Sequence, residues 1–285
     1  MVEPIKELRA ICYKDSKHKR PLYMELFTMK ISIYITKLLL YTPIKADQVT
    51  ISMMILSILG SVFMAFGSLK LMLIGIIIVH FTIILDNVNG EIARYRKEGN
   101  MTGTFLEFFY HEVTVTLVFF SLAYGIFSRT GWESVLIFGF LSSAFSKGIV
   151  LSTIKLAALK NVIRDDEKKR NEKAKKSIEL IGAANLQGGS TKIGKALYLT
   201  YDKIREFWGH PINIVHVNLA LLLEFVNYYY NFFPPYVIVY WYLVAYGTGS
   251  VIIQFISFIV HYKGKSVYHY YLALLGKGKK EIEND

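Results

Sequence analysis

The sequence predicts an all-α, polytopic membrane protein: six transmembrane helices preceded by an amphipathic helix at the interface. Three observations carry this. Of the 285 residues, 53% are hydrophobic and only 6 are proline. Six apolar segments, near residues 49–67, 70–90, 103–127, 134–157, 212–232 and 236–262, approach the ~20 residues that a helix needs to cross a bilayer. All but three of the 33 Lys and Arg residues fall at the amino terminus, in the turn after the second segment, in the long stretch that begins at the end of the fourth, or in the tail. The exceptions are Lys70 and Arg129, in short turns, and Lys147, within a segment. Cytoplasmic loops carry such a Lys/Arg excess, so both termini are expected inside.

The elements follow in order. Residues 1–48 are expected to form a cytoplasmic and interfacial segment, 49–262 the six-span domain with a hydrophilic insertion at 160–209, and 263–285 a cytoplasmic tail. The amino terminus has no apolar core or small-residue cleavage site and does not read as a cleavable signal peptide. Residues 23–41 alternate apolar positions with Glu25, Lys30 and Lys37. Leu26, Ile33 and Leu40, with Met29, Tyr34 and Ile35, fit one helix face, which predicts a helix lying at the inner interface. A seventh span is the alternative. Pro43 ends that helix, and Asp47 is expected to cap the first span, with Thr50 in its first turn.

The insertion carries the mixed-charge run RDDEKKRNEKAKK, expected to be solvated. Gly189, Gly194 and Lys195 match the spacing of a phosphate loop, but Ala196 replaces its Ser or Thr and no apolar strand precedes it, which argues against that motif. Pro234 and Pro235, among seven aromatic side chains, predict an interfacial turn between the last two spans. The lone Cys12 excludes an intramolecular disulfide. A net charge of +11, spread over membrane-adjacent loops, suits anionic lipid head groups and phosphorylated substrates. It does not favour a nucleic-acid partner.

Chemistry concentrates in LDNVNGEIARYRKEGNMTGTFLEFFYH, ending at His111. Asp86 and Asn89 share a helix face, and Ala93 continues it. Gly103, Glu107 and His111 follow at intervals of four and form one stripe on the next helix. A turn near Glu98-Gly99-Asn100 would set the two groups at similar depth, so facing helices can present Asp86, Asn89, Glu107 and His111 to one small volume. Gly90 and Gly103 allow a ligand or a neighbouring backbone to come close. Two carboxylates, an amide oxygen and an imidazole suit a divalent cation, Mg or Mn, with zinc a further candidate because of the imidazole. A cation beside Arg94 is equipment for phosphate. The competing reading is a buried polar cluster that only joins two helices. Glu112 points to another face. Lys147, mid-span, requires an anion, a cavity or a buried acid such as Glu224. His80, His216 and His261 read as structural histidines.

This pattern resembles the signature of the CDP-alcohol phosphotransferase family, D-x2-D-G-x2-A-R-x8-G-x3-D-x3-D. Every spacing agrees, and Asp86, Gly90, Ala93, Arg94 and Gly103 agree by identity. Residues 42–50 look like a drifted T-P-N-x2-T element that retains Thr50. The resemblance implies an interfacial helix and six spans, a divalent metal at the pyrophosphate of a CDP-linked donor, and a base that activates an acceptor hydroxyl. It also implies phosphate or nucleotide contacts from Asp47, Thr50, Gly90, Ala93, Arg94 and Gly103, an anionic-acceptor contact from Lys147, and a homodimer. Asn89, Glu107 and His111 stand where the family has aspartates. Cluster charge thereby drops from about −4 to about −2 with His neutral, which favours one metal ion. His111 is a suitable general base near neutral pH.

The expected activity is transfer of a substituted phosphate from a nucleotide-activated donor to a hydroxyl on a lipid, polyol or sugar acceptor. Asp86, Asn89, Glu107 and His111 would serve as ligands, and His111 or Glu107 as base. The expected location is the inner membrane of a prokaryotic cell, with the site facing the cytoplasm. Two alternatives stay open: glycosyl or sugar-phosphate transfer onto a polyprenyl or lipid acceptor, and a non-catalytic lipid-binding relative. Transport is weaker, because the spans show no pair of broken helices.

Overall fold

The computed structural model describes residues 2–13, 23–99, 101–146 and 207–274, with scattered residues between 152 and 204. Among these residues the regular structure is helical and no strand occurs. In chain order the helices are α1 (Ile5–Tyr13), a π-helical turn (Met24–Thr28) running into α2 (Met29–Leu40), α3 (Ala46–Ala65), α4 (Leu69–Arg96), α5 (Met101–Thr130), α6 (Ser134–Phe145), α7 (Ile212–Tyr230), α8 (Val237–Lys263) and α9 (Ser266–Leu274). Five of them, α3, α4, α5, α7 and α8, are long and apolar enough to cross a membrane, which marks an integral membrane protein. The fourth expected span is represented by the 12-residue α6; residues 147–151 lie outside the described residues.

The chain divides into two compact units. The first comprises residues 1–147 and 208–248. Its main core joins α4 and α5 to α6, α7 and the first part of α8 through Ile76, Val79, Phe119, Leu122, Leu221 and Leu243. Helices α3 and α4 come very close at a pair of glycines. A Cβ on Gly75 would lie 2.3 Å from the carbonyl oxygen of Gly60, so no larger residue fits without moving a backbone. The second unit comprises residues 148–207 and 249–285. Within it, His261 Nδ1 pairs with Ser266 Oγ at 2.9 Å where α8 gives way to α9.

The helix ends explain the connections. Helix α2 stops just before Pro43, as expected, and α3 begins at Ala46. The cap differs from expectation: Lys45 is the extended residue before α3, and its N–H donates to Gln48 Oε1 at 2.9 Å. Asp47 instead sits within the first turn, where its carboxylate still suits the helix dipole. Arg96 holds this corner by donating to the carbonyls of Ile44 at 2.6 Å and Thr42 at 2.7 Å. Helix α4 ends on Lys97 in the left-handed conformation (φ 56°), a position that usually favours glycine, and α5 starts at Met101.

Helix α1 packs through Leu8 and Cys12 against Ile33 of α2, whereas α2 turns most of its buried face to polar contacts. Thr28, Ser32 and Thr36, spaced four apart, are buried, whereas Leu26, Phe27, Ile31, Tyr34 and Leu38 are exposed. This revises the expected face: Ile33 is buried, but Leu26 and Tyr34 point outward. Thr28 accepts from Asn87 Nδ2 at 3.0 Å, and the other two hydroxyls face Glu91 of α4, a fully buried carboxylate. It accepts from Ser32 Oγ at 2.5 Å, Thr36 Oγ1 at 2.6 Å and the Tyr13 hydroxyl. A carboxylate offers only acceptors, and three hydroxyl donors satisfy much of that capacity. Burying it without them would be costly, so the charge fixes which side of α2 faces in, while α1 is held by Leu8, Cys12 and the Tyr13 hydroxyl.

Glu224 of α7 follows the same logic. Its buried carboxylate accepts from the backbone N–H groups of Tyr236 (2.8 Å), Ile238 (2.9 Å) and Val239 (3.3 Å), and from Asn227 Nδ2 (2.9 Å). It caps the start of α8 from a neighbouring helix, satisfying donors that the helix leaves open. The expected partner of this acid, Lys147, lies outside the described residues.

Candidate metal and phosphate site

Helices α4 and α5 bring three of the expected residues together. One ligand atom each from Asp86, Glu107 and His111 lies within 4.8 Å of the others. His111 Nε2 stands 3.8 Å from Asp86 Oδ1 and 4.0 Å from Glu107 Oε1. The helical spacing read from the sequence explains this: Glu107 and His111 are one turn apart on α5 and face Asp86 across the α4–α5 turn. Exposure grades across the group. The Asp86 side chain is 19% exposed, His111 27% and Glu107 52%, so the cluster opens on the Glu107 side. Two ligands about 2.1 Å from a common ion, at octahedral angles, stand about 3 Å apart. The observed separations are slightly wider, and small side-chain rotations would close them. The donor set, two carboxylates and an imidazole, therefore fits a divalent cation.

The remaining expected residues surround this group differently. Asn89 is buried on α4, one turn from Asp86 on the same face. Ala93 is half-buried one turn further on. Gly90 leaves room for the Arg94 side chain: a Cβ there would come 3.0 Å from Arg94 Nη1. The Arg94 guanidinium lies over the Tyr13 ring, 5.8 Å from its centre. Tyr13 thus links Arg94 to the Glu91 cage. Gly103 is partly exposed at the start of the α5 stripe. Thr50 is buried, and its hydroxyl donates to the Ala46 carbonyl at 3.4 Å. Asp47 lines a cleft of about 320 Å³ with Lys45, Ala46 and Glu98, placing the start of α3 beside the α4–α5 turn.

The sequence reading missed the residues behind the cluster. Tyr110 is fully buried, its ring centre 5.0 Å from that of His111, and its hydroxyl pairs with Thr82 Oγ1 at 2.6 Å. His210, in the segment leading into α7, packs its ring 4.6 Å from that of His111, with the planes at 57°. Burial, reinforced by neighbouring His111, holds His210 well below the usual histidine range. No periodicity could have signalled it, because it lies in a connection far from His111 in sequence. His80, by contrast, is the structural histidine expected. It joins the Tyr23 hydroxyl on Nε2 and Asn218 Nδ2, at 3.0 Å, on Nδ1.

Against known proteins, the chain matches no family model and no curated protein. The case for its chemistry therefore rests on the residues and their arrangement.

Proposed function

We propose that this chain is a membrane transferase of the CDP-alcohol phosphotransferase type. It would move a substituted phosphate from a nucleotide-activated donor to a hydroxyl acceptor in lipid or lipid-linked glycan synthesis. The observation that carries this reading is the convergence of Asp86, Glu107 and His111 from two successive helices, at the spacing of the signature. A bound Mg or Mn ion would neutralise the donor diphosphate. Asp86 and Glu107 hold it, and Asn89 adds a neutral oxygen. Arg94 binds phosphate oxygens as a charged fork. Lys45 and the first turn of α3, beside the cleft, bind the nucleotide phosphate. The acceptor oxygen forms the new bond to the phosphorus that bears the substituent. The bond from that phosphorus to the bridging oxygen breaks, and CMP leaves with the electron pair. The hydroxyl proton passes to His111 or Glu107.

The same proposal includes six spans, the polar-faced α2 lying at the inner interface, both termini in the cytoplasm of a prokaryotic cell, and a homodimer. The outward apolar side chains of α2 support contact with lipid.

Purified protein incubated with divalent metals and a panel of nucleotide-activated donors tests the reading. Metal-dependent thermal stabilisation and CMP release are expected, and CMP release should vanish in Asp86→Ala. Release of a different nucleotide would point to another donor and to glycosyl or sugar-phosphate transfer. No stabilisation by any donor would leave only a non-catalytic role. His111→Ala should abolish turnover; retained donor binding identifies His111 as the base, and an equal loss of binding identifies it as a ligand.

A further inference from the structure

Arg94 stands between two faces of α4. At about 100° per residue it lies about 80° round the helix from Asp86 and about 60° from Glu91. A long side chain at that angle can reach either face, so what holds it decides which it serves. Two contacts fix its path. The guanidinium lies back over Gly90, one turn towards Asp86, where an added Cβ would meet Nη1 at 3.0 Å and Nη2 at 3.2 Å. It also lies over the Tyr13 ring, 5.8 Å from the centre, within the ~6 Å at which an aromatic face attracts a cation.

Tyr13 is itself held from both ends. Its hydroxyl donates to Glu91 Oε1, and its ring packs on the small core of Leu8, Cys12 and Ile33. Helix α1 is tied to α4 twice more. The Cys12 thiol donates to the Glu91 carbonyl at 3.6 Å, and the Tyr95 hydroxyl donates to Glu3 Oε2 at 2.5 Å. The buried carboxylate does not itself require an aromatic partner, because Ser32 and Thr36 serve it with plain hydroxyls. What a ring adds at position 13 is a fixed face for the guanidinium.

We propose that Tyr13 is a positioning residue for Arg94: through its ring, helix α1 holds the guanidinium fork in place for the phosphate of the donor. The inference rests on the reading of Arg94 as a phosphate ligand. Holding the fork in advance removes the ordering of a long, rotamer-rich side chain from the binding step. Loss of the ring therefore weakens phosphate binding and spares the metal site. By linkage, a bound phosphate must in turn steady α1.

The test uses full-length protein in detergent with Mn2+, titrated by calorimetry with CDP and with inorganic pyrophosphate as a base-free probe. Tyr13→Leu should weaken both probes at least about fivefold, with Mn2+ affinity within about twofold of wild type. Tyr13→Phe, which keeps the ring, should bind both within about twofold. Thr36→Val removes a Glu91 donor but not the ring, and should leave both probes unchanged. In an Arg94→Gln background, itself weak for both probes, Tyr13→Leu should weaken neither further. Hydrogen exchange in α1 of the wild type should slow at least about threefold on binding CDP. That measurement stands even where Tyr13→Leu fails to fold. Four results would overturn the positioning role and leave the site reading intact: unweakened binding by Tyr13→Leu, Tyr13→Phe as weak as Tyr13→Leu, an equal loss in the two Arg94 backgrounds, or α1 exchange that does not respond to CDP. Binding untouched by Arg94→Gln would overturn the phosphate role of Arg94 and this proposal with it. A wild type that binds neither probe would overturn the site reading as a whole.

Discussion

Helix α4 carries two carboxylates five residues apart that live in opposite circumstances. Glu91 is sealed: fully buried, with hydroxyls of α1 and α2 aimed at its oxygens. Asp86 is partly open and shares its cluster with a second carboxylate, Glu107, and with His111, whose Nε2 lies 3.8 Å from Asp86 Oδ1 and 4.0 Å from Glu107 Oε1. One carboxylate is closed in by hydroxyl donors, the other sits in a partly open group with a second carboxylate and an imidazole. Residues whose surroundings satisfy them hold structures together. Like charges gathered in a partly open group are what a cation-binding site requires. The contrast separates the architecture of the amino-terminal helices from the chemistry of the α4–α5 turn.

The largest effect should come at the cluster. Asp86→Ala is expected to lower nucleotide release at least about 100-fold, the scale on which removal of one electrostatic group from a transition-state site is felt. Its folded state should suffer little, because a like charge beside Glu107 is removed. Asp86→Asn should leave the melting temperature unchanged or raise it. A stability loss in Asp86→Asn as large as that of Glu91→Ala would collapse the distinction between the two carboxylates.

Glu91→Ala should do the reverse. Two buried hydroxyls and the half-buried Tyr13 hydroxyl lose their acceptor, for a destabilisation of about 3 kcal/mol. It should appear as a lower melting temperature in detergent and as earlier proteolysis of the amino-terminal helices, with metal affinity retained in the protein that remains folded. Thr36→Val keeps the shape and removes one of the donors, for about 1–2 kcal/mol. A Thr36→Val protein as stable as the wild type would show that the cage is not what holds α2.

Much of this contrast was legible in the sequence, and the illegible part has a physical cause. Period and spacing report on neighbours along one helix and across one turn. They therefore predicted the spans that became α3, α4, α5, α7 and α8, the break at Pro43 and the meeting of Asp86 with Glu107 and His111. Contacts between distant segments leave no such trace. The hydroxyl row Thr28, Ser32, Thr36 went unread, because its partners, Asn87 for Thr28 and Glu91 for Ser32 and Thr36, lie 55–59 residues away. His210 was invisible for the same reason: it reaches His111 only through packing. Asp47 was expected as the cap because its side chain is a good one, yet the chain enters α3 at Lys45 and closes the turn with Gln48.

The smallest effect probes the sealed side by reagent access. Cys12 is buried, and its thiol donates to the Glu91 backbone carbonyl at 3.6 Å. Burial, followed by the nearby Glu91 charge, pushes its pKa from 9.0 up to about 11. Thiolate is the reactive form, so two units correspond to about 100-fold less of it at pH 8 than in the unfolded chain. The sign of the coupling follows. The folded value lies above the unfolded one, so the thiol's contribution to stability is complete below pH 9 and is lost as pH rises towards about 11. Maleimide labelling at pH 8 should thus be slow in the folded protein and fast once it is denatured. Glu91→Gln should accelerate labelling of the folded form by removing the carboxylate charge, whereas Asp86→Asn should leave it unchanged. Rapid labelling of folded wild-type protein would mean that α1 does not stay on α4, and the sealed half of the comparison would fail.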